Sequence, residues 1–340
     1  MYNADNSRYD KMTYAYCGKS GLNLPRVSLG LWKNFGNGDV FSNMEEMIHT
    51  AFDLGITYFD LANNYGSPFN GSAEENFGRI LRDSMRPYRD EMVIATKAGY
   101  DMWQGPYGCL NGSRKYLISS LDQSLKRIGL EYVDIFYHHI YDPKTPLEET
   151  AYTLDSIVRS GKALYVGISN YSREQTEEIS KIFRELRTPF IVNQISYSML
   201  NRWIERDGLD SWACENGVGL AVYSPLYQGL LTDKYISGVP QDSRIGRGET
   251  WIGKELDDKM RRRLSALSEI AESRGQKLSQ LALSWVLKNR AVTTVIIGAS
   301  RPSQIAENAG VTTGAIYTRY QNKDALFVSL LQGFFKTMEE

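Results

Sequence analysis

A (β/α)8 barrel of the TIM type, in the α/β class, is the fold the sequence predicts, and three observations predict it. Eight short apolar runs alternate with amphipathic helical stretches along the chain, the pattern of parallel βαβ units. Several of those runs end on a chemically active side chain, as strands do at the carboxyl mouth of such a barrel. With 340 residues, 42% hydrophobic and 23% charged, the chain has the length and composition to bury one barrel-sized core.

The elements follow in order. Residues 12–17, the turn Gly18-Lys-Ser-Gly21 and residues 22–25 read as a β-hairpin ahead of the barrel. Strands are expected at 26–31, 56–61, 92–97, 133–138, 163–168, 191–195, 219–223 and 293–297. Helices are expected at 43–54, 72–84, 113–128, 146–160, 172–186, 203–216, 257–274 with 278–288, and 302–308. Asn43 with Glu46 three residues on has the form of a capping box. Gly129, Gly161 and Gly217 follow helices where a left-handed residue is expected. The polar, glycine-rich stretch 228–255 follows the seventh strand, where a barrel carries a lid over its mouth.

Charge and cysteine usage exclude several function classes. A formal net charge of −1 gives no reason to expect nucleic acid or an anionic membrane as the main partner. The N-terminus, with Asp5, Arg8, Asp10 and Lys11, has no apolar leader core, and no run approaches the roughly 18 residues a membrane span needs. Cys17, Cys109 and Cys214 are few and widely spaced, so neither a disulfide framework nor a metal motif is expected. A cytoplasmic setting follows. The three histidines have no partner spacing for zinc.

Asp60, Tyr65, Lys97 and His139 lie at or just past three consecutive strand ends. Singly each has an ordinary explanation. Asp60 could cap a strand end, Lys97 could be solvated, and Tyr65 is one of 22 tyrosines. Jointly they suit reduction of a carbonyl. A phenol ionises near ~10, too high for an efficient proton donor at neutral pH. A lysine at about 4 Å, with an effective dielectric of about 20, favours the phenolate by roughly 4 kcal/mol before desolvation subtracts. Asp60 would hold Lys97, and a histidine would meet the substrate oxygen. His138 and His139 face opposite ways on a strand, and parity does not choose between them at a strand end. His49 lies on a helix and reads as structural.

No metal and no G-x-G-x-x-G fingerprint supplies the redox chemistry, so an organic cofactor is required. Gly298-Ala-Ser-Arg-Pro302 opens a helix after the eighth strand, where backbone N–H groups, Ser300 and Arg301 form a candidate phosphate site. A basic residue there suits the extra phosphate of NADP. A plain serine cap before a proline would account for the same residues.

With these residues in place the chain resembles the aldo-keto reductases, in the branch that holds bacterial glyceraldehyde-3-phosphate and methylglyoxal reductases and potassium-channel β subunits. The matching stretches are Leu24-Pro-Arg-Val-Ser-Leu-Gly-Leu-Trp32, Tyr58-Phe-Asp-Leu-Ala-Asn-Asn-Tyr-Gly66 and Gly71-Ser-Ala-Glu-Glu-Asn-Phe-Gly78. Gly167-Ile-Ser-Asn-Tyr171, Asn193-Gln194, Tyr223-Ser-Pro-Leu226, Ile297-Gly-Ala-Ser300 and Glu307-Asn308 complete the series. The resemblance implies Tyr65 as general acid, Asp60 and Lys97 as its tuning pair, and His139 facing the substrate. It implies that Ser169, Asn170 and Gln194 hold a nicotinamide carboxamide and that Tyr223 stacks on the ring. Ser224, Pro225, Leu226, Gly229, Lys234 and Arg244 would line the pyrophosphate path. Gly298, Ser300, Arg301, Gln304, Glu307 and Asn308 would hold the adenosine end. Trp32 and Tyr65 would wall the pocket of a small-molecule carbonyl substrate, an oxo-aldehyde or triose-type aldehyde reduced with NADPH. A cofactor-binding regulatory subunit with little turnover shares the same residues. A homo-oligomer is compatible with the resemblance.

After Asn308 the pattern changes. Residues 12–308 form the expected barrel domain and 309–340 an atypical helical tail. Ile305 to Phe327 resembles part of the helix-turn-helix of TetR-type repressors, which keeps DNA binding as a remote alternative. The preceding helix of such a motif is missing, and Arg319, Lys323 and Lys336 balance Asp324, Glu339 and Glu340, so specific nucleic-acid binding is not expected. Leu326, Phe327, Leu330, Leu331, Phe334 and Phe335 make an apolar stripe expected to dock on the barrel.

Overall fold

The computed structural model describes residues 2–106, 111–241, 243–250 and 256–310. Strands β1 (Tyr14–Tyr16) and β2 (Asn23–Pro25) pair antiparallel as the expected hairpin. Eight parallel strands follow: β3 (Val27–Gly30), β4 (Tyr58–Asp60), β5 (Val93–Ala98), β6 (Val133–His138), β7 (Ala163–Ser169), β8 (Phe190–Ser196), β9 (Gly219–Tyr223) and β10 (Val292–Ile297). They close in chain order, with β10 pairing back to β3. Between them run α1 (Phe41–Asp53), α2 (Ser72–Ile80), α3 (Arg114–Ile128), α4 (Leu147–Arg159), α5 (Arg173–Leu186), α6 (Trp203–Asp207), α7 (Leu209–Asn216), α8 (Asp258–Ser273) and α9 (Leu278–Leu287). Helix α10 (Pro302–Ala309) follows β10. No helix among the described residues is long and apolar enough to cross a membrane.

Two apolar layers result from strands buried on both faces. The outer layer lies between the strands and the helices and includes Leu29, Phe59, Ile94, Phe136, Ile168 and Val222. The inner layer fills the barrel with Tyr58, Ala95, Ile135, Tyr137, Ala221 and Ile296, and takes in Cys17 and Leu24 of the hairpin. Cys17 Sγ reaches the carbonyl of Ile191 near the start of β8. The hairpin therefore closes the amino end of the barrel and leaves the carboxyl end as the open mouth. Gly129, Gly161 and Gly217 have the expected positive φ, at 76°, 75° and 72°.

Local expectations needed correction at three places. Helix α1 begins at Phe41 with Val40 at its N-cap and no side-chain cap. Asn43 lies inside the first turn, and its amide donates to the carbonyl of Ser300 instead. The 72–84 helix stops at Ile80 and continues as a wider turn over Leu81–Met85 and a tighter one over Arg86–Glu91, with a proline near the start of the latter. The 203–216 helix breaks at Gly208, whose φ of 74° ends α6. The 228–255 stretch, expected as a lid, packs where it is described: Leu230, Leu231, Tyr235 and Ile245 form a third small core with Leu264 and Leu267 of α8 and Leu278 and Leu281 of α9. Cys109 and the tail from 311, with its helix-turn-helix resemblance and apolar stripe, lie outside the described residues.

Candidate active site

The four strand-end residues meet at the mouth. Asp60 closes β4, Lys97 is the last but one residue of β5, and His139 follows directly on β6. Lys97 is 0% exposed, and its ammonium donates to Asp60 Oδ2 at 2.7 Å, the Leu61 carbonyl at 2.6 Å and Tyr65 Oη at 3.1 Å. All three ammonium hydrogens are thereby used. The loop carrying Tyr65 is pinned through its backbone, since Ala73 N–H donates to the Tyr65 carbonyl and Gly66 N–H to that of Trp32. Trp32, 37% exposed, stands on the rim.

The structure separates the adjacent histidines. The His139 ring meets Tyr65 edge-on at 5.8 Å and Tyr100 at 4.7 Å, inside the mouth. The His138 ring points outward, with Nδ1 2.6 Å from Tyr171 Oη. His139 Nδ1 is buried without a hydrogen-bond partner among the described residues. His49 stacks on Tyr2 at 3.8 Å, on the helical exterior.

Burial dominates the electrostatics. Removal from water, then the charge of Asp60, pushes the Tyr65 phenol well above its ordinary value. Lys97 is in position to oppose this, but the expected downward pull does not win in the dry pocket. Burial also lowers Lys97, with Asp60 opposing it. His139 falls well below the usual histidine range, through burial and then the charges of Lys97 and His138. The site thus presents a neutral phenol and a neutral imidazole beside a lysine–aspartate pair.

Several contributors were not singled out from sequence. Tyr58 Oη bonds Tyr137 Oη at 2.8 Å and reaches Asp60 Oδ1 at 3.3 Å, forming a polar floor. Both tyrosines stand two residues before a site residue, Asp60 or His139, so strand period could have found them. Glu74, fully buried, pairs with Arg127 at 2.7 Å and accepts from Thr96 beside Lys97. That ties the start of α2, behind Tyr65, to β5 and α3.

The expected cofactor residues line an adjoining wall. Ser169 Oγ donates to the Gln194 carbonyl at 2.9 Å, and Asn170 Nδ2 donates to Ser169 Oγ and to the His139 carbonyl. Tyr223 Oη donates to Asn170 Oδ1 at 2.7 Å. Gln194 Nε2 donates to Asp60 Oδ1 at 2.8 Å, joining this wall to the tetrad. After β9, with Pro225 buried and Leu226 half-buried between them, Ser224, Tyr227 and Gln228 take positive φ of 52°, 46° and 57°, and Gly229 follows at 91°. Such strain collects at ligand-binding segments. Lys234 is exposed on the next turn. Arg244 is half-buried, lowered by desolvation, and in no salt bridge among the described residues.

The start of α10 is open in character. Ser300 and Arg301 are exposed, and nothing stands within 4 Å of where a Gly298 side chain would lie. Gln304 folds back to accept from Ser300 N–H at 2.8 Å. Glu307 is held by Lys277 at 2.6 Å and Ser279 at 3.1 Å, and Asn308 is buried. Among the described residues, no side-chain hydrogen bond or salt bridge joins these α10 residues to the tetrad. A half-buried guanidinium without a salt bridge among the described residues, strained backbone and an open glycine fit an extended anionic cofactor.

A model of the Aldo/keto reductase family matches residues 26–323, running past Asn308. The L-glyceraldehyde 3-phosphate reductase of Escherichia coli (strain K12) is 56% identical over 309 residues, which span 90% of this chain and 89% of the relative. A probable voltage-gated potassium channel subunit beta of Arabidopsis thaliana is 37% identical over 303 residues, 87% of this chain and 90% of the relative. Among solved structures, a thermostable aldo-keto reductase in complex with the inhibitor epalrestat is similar at a TM-score of 0.71 and 29% identity, covering 94% of this chain and 100% of that one.

Proposed function

The chain belongs to the aldo/keto reductase family, an oxidoreductase family, and from that premise we propose that it reduces small aldehydes, triose-phosphate or oxo-aldehyde in type, to alcohols with NADPH. The single observation that carries the reading is the 3.1 Å contact between Lys97 Nζ and Tyr65 Oη, with Asp60 behind it.

A bound reduced nicotinamide supplies the hydride. Ser169, Asn170 and Gln194 would hold its carboxamide and Tyr223 its ring. Ser224, Pro225, Leu226, Gly229, Lys234 and Arg244 would line the pyrophosphate. Gly298, Ser300, Arg301, Gln304, Glu307 and Asn308 would take the adenosine end. Tyr65 gives its proton to the substrate oxygen as negative charge develops there. The phenolate left behind is stabilised by Lys97. At a separation of about 3 Å and a dielectric of about 20 that attraction is roughly 5 kcal/mol before burial subtracts. Asp60 keeps Lys97 charged, and neutral His139 hydrogen-bonds the same substrate oxygen and orients it. Solvent returns a proton to Tyr65 after product leaves. Cys17 and Cys214 are free thiols, which suits a cytoplasmic, reducing setting.

The test is aldehyde-dependent NADPH oxidation with glyceraldehyde 3-phosphate, methylglyoxal and 4-nitrobenzaldehyde, for wild type beside Tyr65→Phe. Loss of the acid is expected to lower kcat by about 10²–10⁴-fold and to leave NADPH binding nearly unchanged. Near wild-type rates in the variant would remove Tyr65 as proton donor. A folded wild type that binds NADPH without turnover supports the second reading, a regulatory subunit, which the identity to a potassium-channel subunit beta favours.

A further inference from the structure

Gln194 spends its side chain on a carboxylate. Its Nε2 donates to Asp60 Oδ1 at 2.8 Å, and both residues are 2% exposed. The other Asp60 oxygen accepts from Lys97 at 2.7 Å, and Lys97 reaches Tyr65 at 3.1 Å. One unbroken line of contacts therefore runs Gln194–Asp60–Lys97–Tyr65. The remaining donor near Asp60 Oδ1 is Tyr58 Oη, at a longer 3.3 Å. Gln194 is thus the principal donor to that oxygen. Its backbone is held from the opposite side, where Ser169 Oγ and Asn170 N–H both donate to its carbonyl, at 2.9 and 3.0 Å. A primary amide has two N–H donors and one acceptor. With Asp60 and the Tyr137 hydroxyl both within reach of its N–H groups, the amide keeps its acceptor oxygen for another group on the same wall.

We propose that Gln194 is a positioning residue of the proton donor, its amide bridging the cofactor wall to Asp60 so that cofactor occupancy and the Asp60–Lys97–Tyr65 line respond to each other. This rests on the aldehyde-reductase reading above. The amide draws part of the carboxylate charge onto itself, which frees Lys97 to lean on Tyr65. Anything that reorients the amide alters how strongly Asp60 holds Lys97. Linkage makes the effect reciprocal, so a change at Asp60 is felt in cofactor affinity through Gln194.

A double-mutant cycle tests this. NADPH dissociation constants are measured by quenching of intrinsic tryptophan fluorescence for wild type, Gln194→Met, Asp60→Asn and the double variant. Methionine keeps the length and removes the N–H groups. Asp60→Asn is expected to shift NADPH affinity about tenfold with Gln194 present and less than about twofold with Met in its place. In the same Gln194→Met protein the alkaline fall in kcat for methylglyoxal is expected to move up by about one pH unit, because the undiminished Asp60 charge opposes phenol ionisation. Gln194→Asn keeps the amide but is too short to reach, and is expected to behave like Gln194→Met. Additive losses in affinity, with the pH profile unmoved, would overturn the proposal and leave Gln194 as a simple cofactor ligand. Turnover indifferent to Tyr65→Phe would instead remove the underlying reading, and that result is visible apart from the cycle.

Discussion

His138 and His139 are neighbours in the chain and opposites in circumstance. His139 enters the mouth beside Tyr65 and Tyr100, while His138 is sealed between β6 and the helices against Tyr171. Burial pushes His138 down to about 4 from an ordinary 6.5, with Asp142 opposing it. The sign follows from linkage. The folded protein resists a proton that the unfolded chain accepts, so the contribution is complete above about pH 6.5 and is lost as pH falls through about 4. A shift of this size is worth roughly 3 kcal/mol. His138→Asn removes the titration and keeps a polar partner for Tyr171. Between pH 7 and 4.5 the variant is expected to lose roughly 2–3 kcal/mol less stability than wild type in urea unfolding. Parallel losses in the two proteins would show that His138 is not the titrating group. His139 is held neutral by the same physics, with the charge of Lys97 added, which suits a group that donates a hydrogen bond and does not exchange its charge.

At the scale of elements, helix ends depart most from sequence expectation, and the cause is tertiary. Asn43 has the composition of a cap, yet the loop before α10 offers it the Ser300 carbonyl at 3.1 Å, and α1 starts two residues earlier. The 203–216 periodicity is continuous across Gly208, but its left-handed backbone turns α7 away from α6. Helix α10 begins at Pro302, as expected, while the orphan N–H of Ser300 is taken by Gln304 and not by a serine cap. That leaves Arg301 exposed at the helix start, its Nε donating to Ser303 Oγ at 3.1 Å. If Arg301 meets the 2′-phosphate, Arg301→Ala removes one charge-assisted contact, worth about 1.5–3 kcal/mol. The dissociation constant for NADPH is expected to rise about tenfold or more, and that for NADH to stay within about twofold. Equal losses for both nucleotides, read by fluorescence titration, would exclude the 2′-phosphate role.

Across the whole molecule, what was legible in sequence was what is local or periodic. The eight strands are short apolar runs, and their order around the barrel follows from parallel pairing of consecutive units. Asp60, Tyr65, Lys97 and His139 could be nominated because strand ends share one mouth. The Gln194–Asp60 bond could not, because it joins residues 134 apart whose facing is known only once the barrel closes. Gly167 belongs between these cases. It stands in a motif readable from sequence, but its reason is spatial: a Cβ there would lie 2.3 Å from Tyr137 Cε1. Tyr137 cannot retreat without giving up Tyr58, whose hydroxyl in turn reaches Asp60. A small residue on β7 is therefore what lets a large one on β6 fill the interior beneath the site. Gly167→Ala is expected to cost about 1–3 kcal/mol by overpacking, seen as a lower urea midpoint. It is also expected to lower kcat, since the displaced ring disturbs the floor under Asp60. Adding Tyr137→Leu makes room and is expected to return most of the stability, without returning the hydroxyl pair. If Gly167→Ala is as stable as wild type, the ring is not wedged, and the floor does not transmit packing to the tetrad.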